Sequence, residues 1–99
     1  MTGQIRYEFT ATLWQHHASG GWHFVSLPED TSAEIRLLLR SMEEGWGRLK
    51  ATATIGRSTW TTAIWFDTKR NTYLLPVKAA VRLQEHLHLG DQIKILLLV

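Results

Sequence analysis

The chain has 99 residues, a formal charge of +2 with histidines neutral, and no cysteine. That length suits a single domain spanning residues 1–99, able to bury about 65% of its unfolded surface without staples. The missing cysteines exclude disulfides, thiolate metal sites and a cysteine nucleophile.

A pI near 9.3 reflects only two surplus charges, and the eleven Lys and Arg are scattered apart from Lys69-Arg70. Charge alone therefore gives little support to a nucleic-acid or membrane partner. Five tryptophans are the unusual feature of the composition. Met1-Thr2-Gly3-Gln4 shows no basic stretch leading into an apolar run, so no leader peptide and a cytoplasmic location are expected. No apolar run approaches the ~18 residues of a membrane span, so no membrane partner is expected.

In chain order, Ile5, Tyr7, Phe9, Ala11 and Leu13 alternate with Arg6, Glu8, Thr10, Thr12 and Trp14. Period-two alternation predicts a half-buried strand. Gln15 to Gly21 is polar and ends in Gly20-Gly21, which predicts a hairpin loop. Trp22 to Leu27 reads as the second strand, with Trp22, Phe24 and Ser26 on one face and Pro28 as its stop. Thr31 and Glu34 have capping-box spacing at a helix start, and Ser32 also reads as a cap. Ile35, Leu38, Leu39 and Met42 then form one apolar stripe, and Gly45 or Gly47 is the expected stop.

Leu49, Ala51, Ala53 and Ile55 form the inward face of a third strand. Gly56-Arg57-Ser58 is a tight turn into a fourth, which puts Trp60, Thr62, Ile64 and Phe66 on one face and Thr61, Ala63 and Trp65 on the other. After a polar turn, Tyr73-Leu74-Leu75 is a strand that at Pro76 leaves the sheet or runs along an edge, since proline has no N–H for a ladder. Lys78 to His88 has helical spacing, with Gly90 as the expected C-cap. Ile93, Ile95, Leu97 and Val99 alternate as the closing strand, whose second face turns apolar and is expected to be covered too.

Short connections favour antiparallel hairpins, and a small sheet removes its edges most simply by closing. The expected fold is mainly β: a small closed or partly closed six-stranded barrel, with two short α-helices covering its ends.

Phe9-x-Ala11-x-Leu13, Trp22-His23-Phe24-Val25-Ser26-Leu27-Pro28, Ser32 with Ile35, and Leu75-Pro76-Val77-Lys78 with Ala80, Arg82, Leu89 and Gly90-Asp91 together resemble domain of unknown function 1905, a bacterial family. The resemblance covers nearly the whole chain. It implies a closed Greek-key barrel and no particular activity. The Leu-Pro-x-Lys…Arg…Leu-x-Leu-Gly-Asp order also resembles AbrB-type DNA-binding domains, a likeness of fold only.

Candidate chemistry is sparse. His16, His17 and His23 could approach one another across the first hairpin, and imidazole is a good zinc ligand. But that loop holds no carboxylate, and His86 and His88 diverge on a helix. No metal and no cofactor are expected. Serines lack a nucleophile-elbow pattern, and no glycine pair precedes a helix as in a phosphate loop. Trp14 and Trp65 fall on outward faces. They could line a stacking surface unless helices cover them. Trp14, Trp22, Trp65 and Arg57 are the residues chosen for a binding surface. The expected function is non-enzymatic binding of an unknown small ligand or protein. A DNA- or RNA-binding module is the alternative, and a histidine-dependent metal enzyme the third.

Overall fold

Alternation along each strand decides which side chains enter the barrel. The computed structural model describes residues 4–16, 21–43 and 47–99. Among these, six strands form a closed antiparallel barrel: β1 (Arg6–Gln15), β2 (His23–Ser26), β3 (Arg48–Ile55), β4 (Ser58–Asp67), β5 (Thr72–Pro76) and β6 (Gln92–Leu98). Their order around the wall is β1-β2-β5-β4-β3-β6. β3, β4 and β5 run as consecutive hairpins and β6 returns beside β3, which is the Greek-key connection. The expected fold is the observed one.

Phe9, Ala11, Leu13, Val25, Ala53, Ile64, Leu75, Ile95 and Leu97 are among the residues that fill the interior. Helix α1 (Glu29–Leu39) and helix α2 (Ala79–Gln84) each add one buried aliphatic, Ile35 and Val81, to that core. Neither is long and apolar enough to cross a membrane.

Several local expectations are corrected. The α1 start has no side-chain cap. The Thr31 N–H bonds to Asp30 Oδ1 at 2.8 Å, and Ser32 is buried, with its hydroxyl accepting the Tyr73 N–H at 3.0 Å. The helix stops well before Gly47, giving way to a 3-10 turn at Arg40–Met42 and an extended Glu43. Gly45, Trp46 and His17 lie outside the described residues.

The apolar stripe divides as well. Ile35 is buried, but Leu38 and Met42 are 54% and 66% exposed. The helix meets the barrel along a narrow line, and the tighter 3-10 winding carries Met42 off the helical phase. Helix α2 ends at Gln84, not near Gly90. His86 takes the left-handed conformation at φ 55. Leu87 N–H bonds to Arg82 O at 2.9 Å and His86 N–H to Leu83 O at 3.3 Å, a Schellman closure. Leu87 packs against the core, so the chain must turn there. Gly90 instead serves the turn into β6, with its N–H on Leu13 O at 2.9 Å. On the outer side of β6, Leu96 and Leu98 are only half-buried.

Candidate ligand-binding cleft

Pairing registers assemble an aromatic group on the outer wall of the barrel. Trp14 lies opposite Phe24 in β1–β2, and Trp65 lies opposite Leu74 in β4–β5. Phe24 and Leu74 are buried, yet neither belongs to the interior core. The Phe24 ring centroid is 5.3 Å from Trp14, 6.0 Å from Trp22 and 5.5 Å from Trp65. Trp22 and Trp65 meet edge-to-face at 6.1 Å, a preferred geometry for aromatic quadrupoles. The Trp14 indole N–H donates to Ser26 Oγ at 3.0 Å. No described helix residue figures in these ring contacts. Trp22 remains 53% exposed.

Of the four residues chosen from sequence, the structure brings Trp14, Trp22 and Trp65 together. Arg57 stands apart: it sits in the turn at the far end of β4, where its N–H donates to Glu85 Oε2 at 3.3 Å. The cations near the rings are others. Arg48 lies opposite Trp65 in the β3–β4 register, and the Arg70 guanidinium stacks over Trp14 at 4.3 Å.

The cleft itself follows from Pro76. β4 pairs with β5 only from Trp65 to Asp67, while β5 stays on β2 through Pro76, which has no N–H to offer β4. Residues 60–63 therefore have β3 on one side and open space on the other. That space is a cleft of about 500 Å³, lined by Trp22, His23, Arg48, Trp60, Trp65, Lys78 and Arg82 among others. Three cations face it, and no Asp or Glu is among its described lining residues. A second cleft of about 530 Å³ lies across the Trp22–Trp65 divide, lined also by Phe24, Asp67, Lys69 and Arg70.

The charges in the two clefts differ in kind. Arg70 donates to Asp67 Oδ2 at 2.6 Å. Burial tends to raise the Asp67 carboxyl, but the Arg70 hydrogen bond, the Lys69 N–H and the Arg70 charge outweigh it and hold it below the usual carboxylate range. In the first cleft, Arg82 is held by neutral acceptors: its Nε–H donates to Val77 O at 3.1 Å and its Nη1–H to His23 Nε2 at 3.4 Å. His23 Nδ1–H donates to Gly21 O at 2.6 Å.

The His16 ring lies 6.3 Å from Trp14, tilted at 47° to it. Among the described residues, no group of three or more His, Asp or Glu could hold a metal ion. His86 and His88 are exposed, the latter 3.8 Å from Asp91.

A family model described as domain of unknown function (DUF1905) matches residues 9–97. The chain belongs to this family. No curated protein matches it. The family carries no assigned activity, so the cleft must be read from its own chemistry. Sequence reasoning overlooked Arg48, Lys78, Arg82 and His23 as cleft residues. Two signals were present. The tight turn at Gly56-Arg57 sets the register that puts Arg48 opposite Trp65. Pro76, without an N–H, cannot extend the β4 ladder, and the chain after it brings Lys78 and Arg82 to the gap.

Proposed function

We propose that this domain binds a small molecule in the cleft where β4 and β5 part. One observation carries the reading: a cleft of about 500 Å³ is walled by tryptophans and edged by three cations. Ligand sites are typically apolar concavities of ~300–1,000 Å³ with a few converging polar groups. The site suits binding better than catalysis, because His23, the acid–base side chain lining it, already engages both ring nitrogens.

The test is a thermal-shift and tryptophan-emission titration against a metabolite panel. A ligand at ~100 times its dissociation constant adds about 2.7 kcal/mol, and each kcal/mol moves the midpoint of a domain this size by about 4–8 °C. Trp22→Ala should lower the melting temperature of the free protein by the lost ring contacts with Phe24 and Trp65 and lose the ligand-induced shift. A ligand that shifts Trp22→Ala as much as the parent chain sits elsewhere.

A second reading, a DNA- or RNA-binding module, draws on the second cleft. It shares Trp22 and Trp65 with the first and adds Lys69. Aromatic platforms flanked by cations suit single strands. This reading requires affinity that falls steeply with salt as phosphate-bound counterions are released.

A further inference from the structure

We propose that the ligand of the cleft is a small planar anion: a ring system bearing one phosphate or carboxylate group, with that group on Arg82 and the ring against Trp22 and Trp65. This rests on the binding reading above and names its ligand class.

Arg82 is half-buried and already oriented. Its bonds to Val77 O and His23 Nε2 use two of its N–H groups, and a guanidinium has five. The remaining three suffice for a two-point grip on an oxyanion. The partners that orient it leave its charge intact. His23 donates from Nδ1 to Gly21 O, so one neutral tautomer serves both of its contacts, and Val77 contributes a carbonyl.

The nearest carboxylate on the same helical path, Glu85, is engaged elsewhere. It accepts the Ser58 hydroxyl at 2.7 Å and the Arg57 N–H at 3.3 Å. Among the described residues, Arg82, Arg48 and Lys78 take part in no ion pair. A partly desolvated guanidinium without a counter-ion has lost hydration that an anion would replace. Arg48 and Lys78, both exposed, extend the positive field to the rim and would draw anions in.

The rings supply the other half of the recognition. Trp22 and Trp65 stand at 69° to each other, so they offer one face and one edge to a flat guest. A polynucleotide fits less well. Beyond the tryptophan divide Arg70 is already tied to Asp67 and stacked on Trp14, which leaves Lys69 alone among that cleft's described cations outside an ion pair.

The experiment titrates the full chain with three anions, each beside an uncharged counterpart: adenosine monophosphate with adenosine, phenyl phosphate with phenol, and benzoate with benzamide. Tryptophan emission reports binding, and a thymidine decamer is the polymer arm. Charge-assisted hydrogen bonds predict that at least one anion binds about tenfold or more tighter than its neutral partner. The pair showing it tells phosphate from carboxylate. Arg82→Gln should abolish that preference by weakening the anion far more than the neutral compound. Should Arg82→Gln lose its fold, Arg82→Lys keeps the charge without the fork and should lower the preference. Equal binding of anion and neutral compound overturns the anion assignment and leaves the cleft reading standing. So does a preference that survives both Arg82 variants. No binding by any of the six compounds overturns the planar-anion assignment, and the metabolite panel with Trp22→Ala decides the cleft reading separately. Salt-sensitive binding of the decamer alone replaces the proposal with the nucleic-acid reading.

Discussion

The Ser32 hydroxyl accepts the Tyr73 amide hydrogen at 3.0 Å, and both residues are fully buried. On the same side of β5, Tyr73 O accepts the Leu27 N–H at 3.0 Å. A strand residue's N–H and C=O point the same way, so Ser32 completes the ladder after β2 ends. Ser32→Ala keeps a good helix former but leaves the Tyr73 N–H unpaired in the interior. The expected cost is ~1–3 kcal/mol, read as a lower urea midpoint. An unchanged midpoint would show that the bond contributes nothing net.

Gly56 holds φ at +57 in the β3–β4 turn, and a Cβ there would overlap the Glu85 carboxylate. Gly56→Ala therefore costs about 1–2 kcal/mol for the left-handed backbone and also displaces Glu85 from Ser58. Glu85→Ala alone should cost about 0.5–1.5 kcal/mol for the lost hydrogen bonds. The double variant should cost less than the sum, because each change breaks the same contact. Strict additivity in a denaturation cycle would exclude this coupling.

Both tyrosines of the chain resist ionisation. Burial, then the nearby Glu34 carboxylate, pushes the Tyr7 phenol up to about 12, although its hydroxyl makes no hydrogen bond among the described residues. Burial, then the hydrogen bond and charge of Glu43, pushes Tyr73 higher still, with Arg36 opposing in part. A raised folded pKa adds stability that is complete below the unfolded value. That stability is lost as pH climbs from about 10 through the folded value. Tyrosinate absorbance should therefore appear together with loss of structure, not before it. Two tyrosines titrating near pH 10 in a folded chain would refute this.

Asp67 works in the opposite direction. Its folded pKa is lowered, so its stabilisation is present above the unfolded value, about 3.9, and disappears as pH falls through the folded one. Asp67→Asn should flatten the acid limb of melting temperature against pH and free Arg70 from its pair. The change at neutral pH should be small, because Arg70 is 45% exposed and such pairs contribute about 0–1 kcal/mol. An acid limb identical in both proteins would show that other groups set it.

Local pattern alone specifies the barrel. Alternation fixes which side of each strand is apolar: Leu13, Ile64, Leu75 and Leu97 could face only inward once the sheet closed. The outward direction of Trp14 and Trp65 was legible for the same reason, since a period of two leaves no third choice. Tertiary structure decided the rest. Helix ends moved because distant groups competed for them: Ser32 serves β5 instead of its own helix, and Leu87 is drawn into the core before Gly90 is reached. The cleft was the least legible feature. Trp22, Arg48, Trp65 and Arg82 are scattered along the chain, and only strand register and the end of β4–β5 pairing at Leu74 bring them to one gap. Local pattern sets the facing of a residue, but its neighbours come from closure of the sheet, a long-range event that no short window of sequence contains.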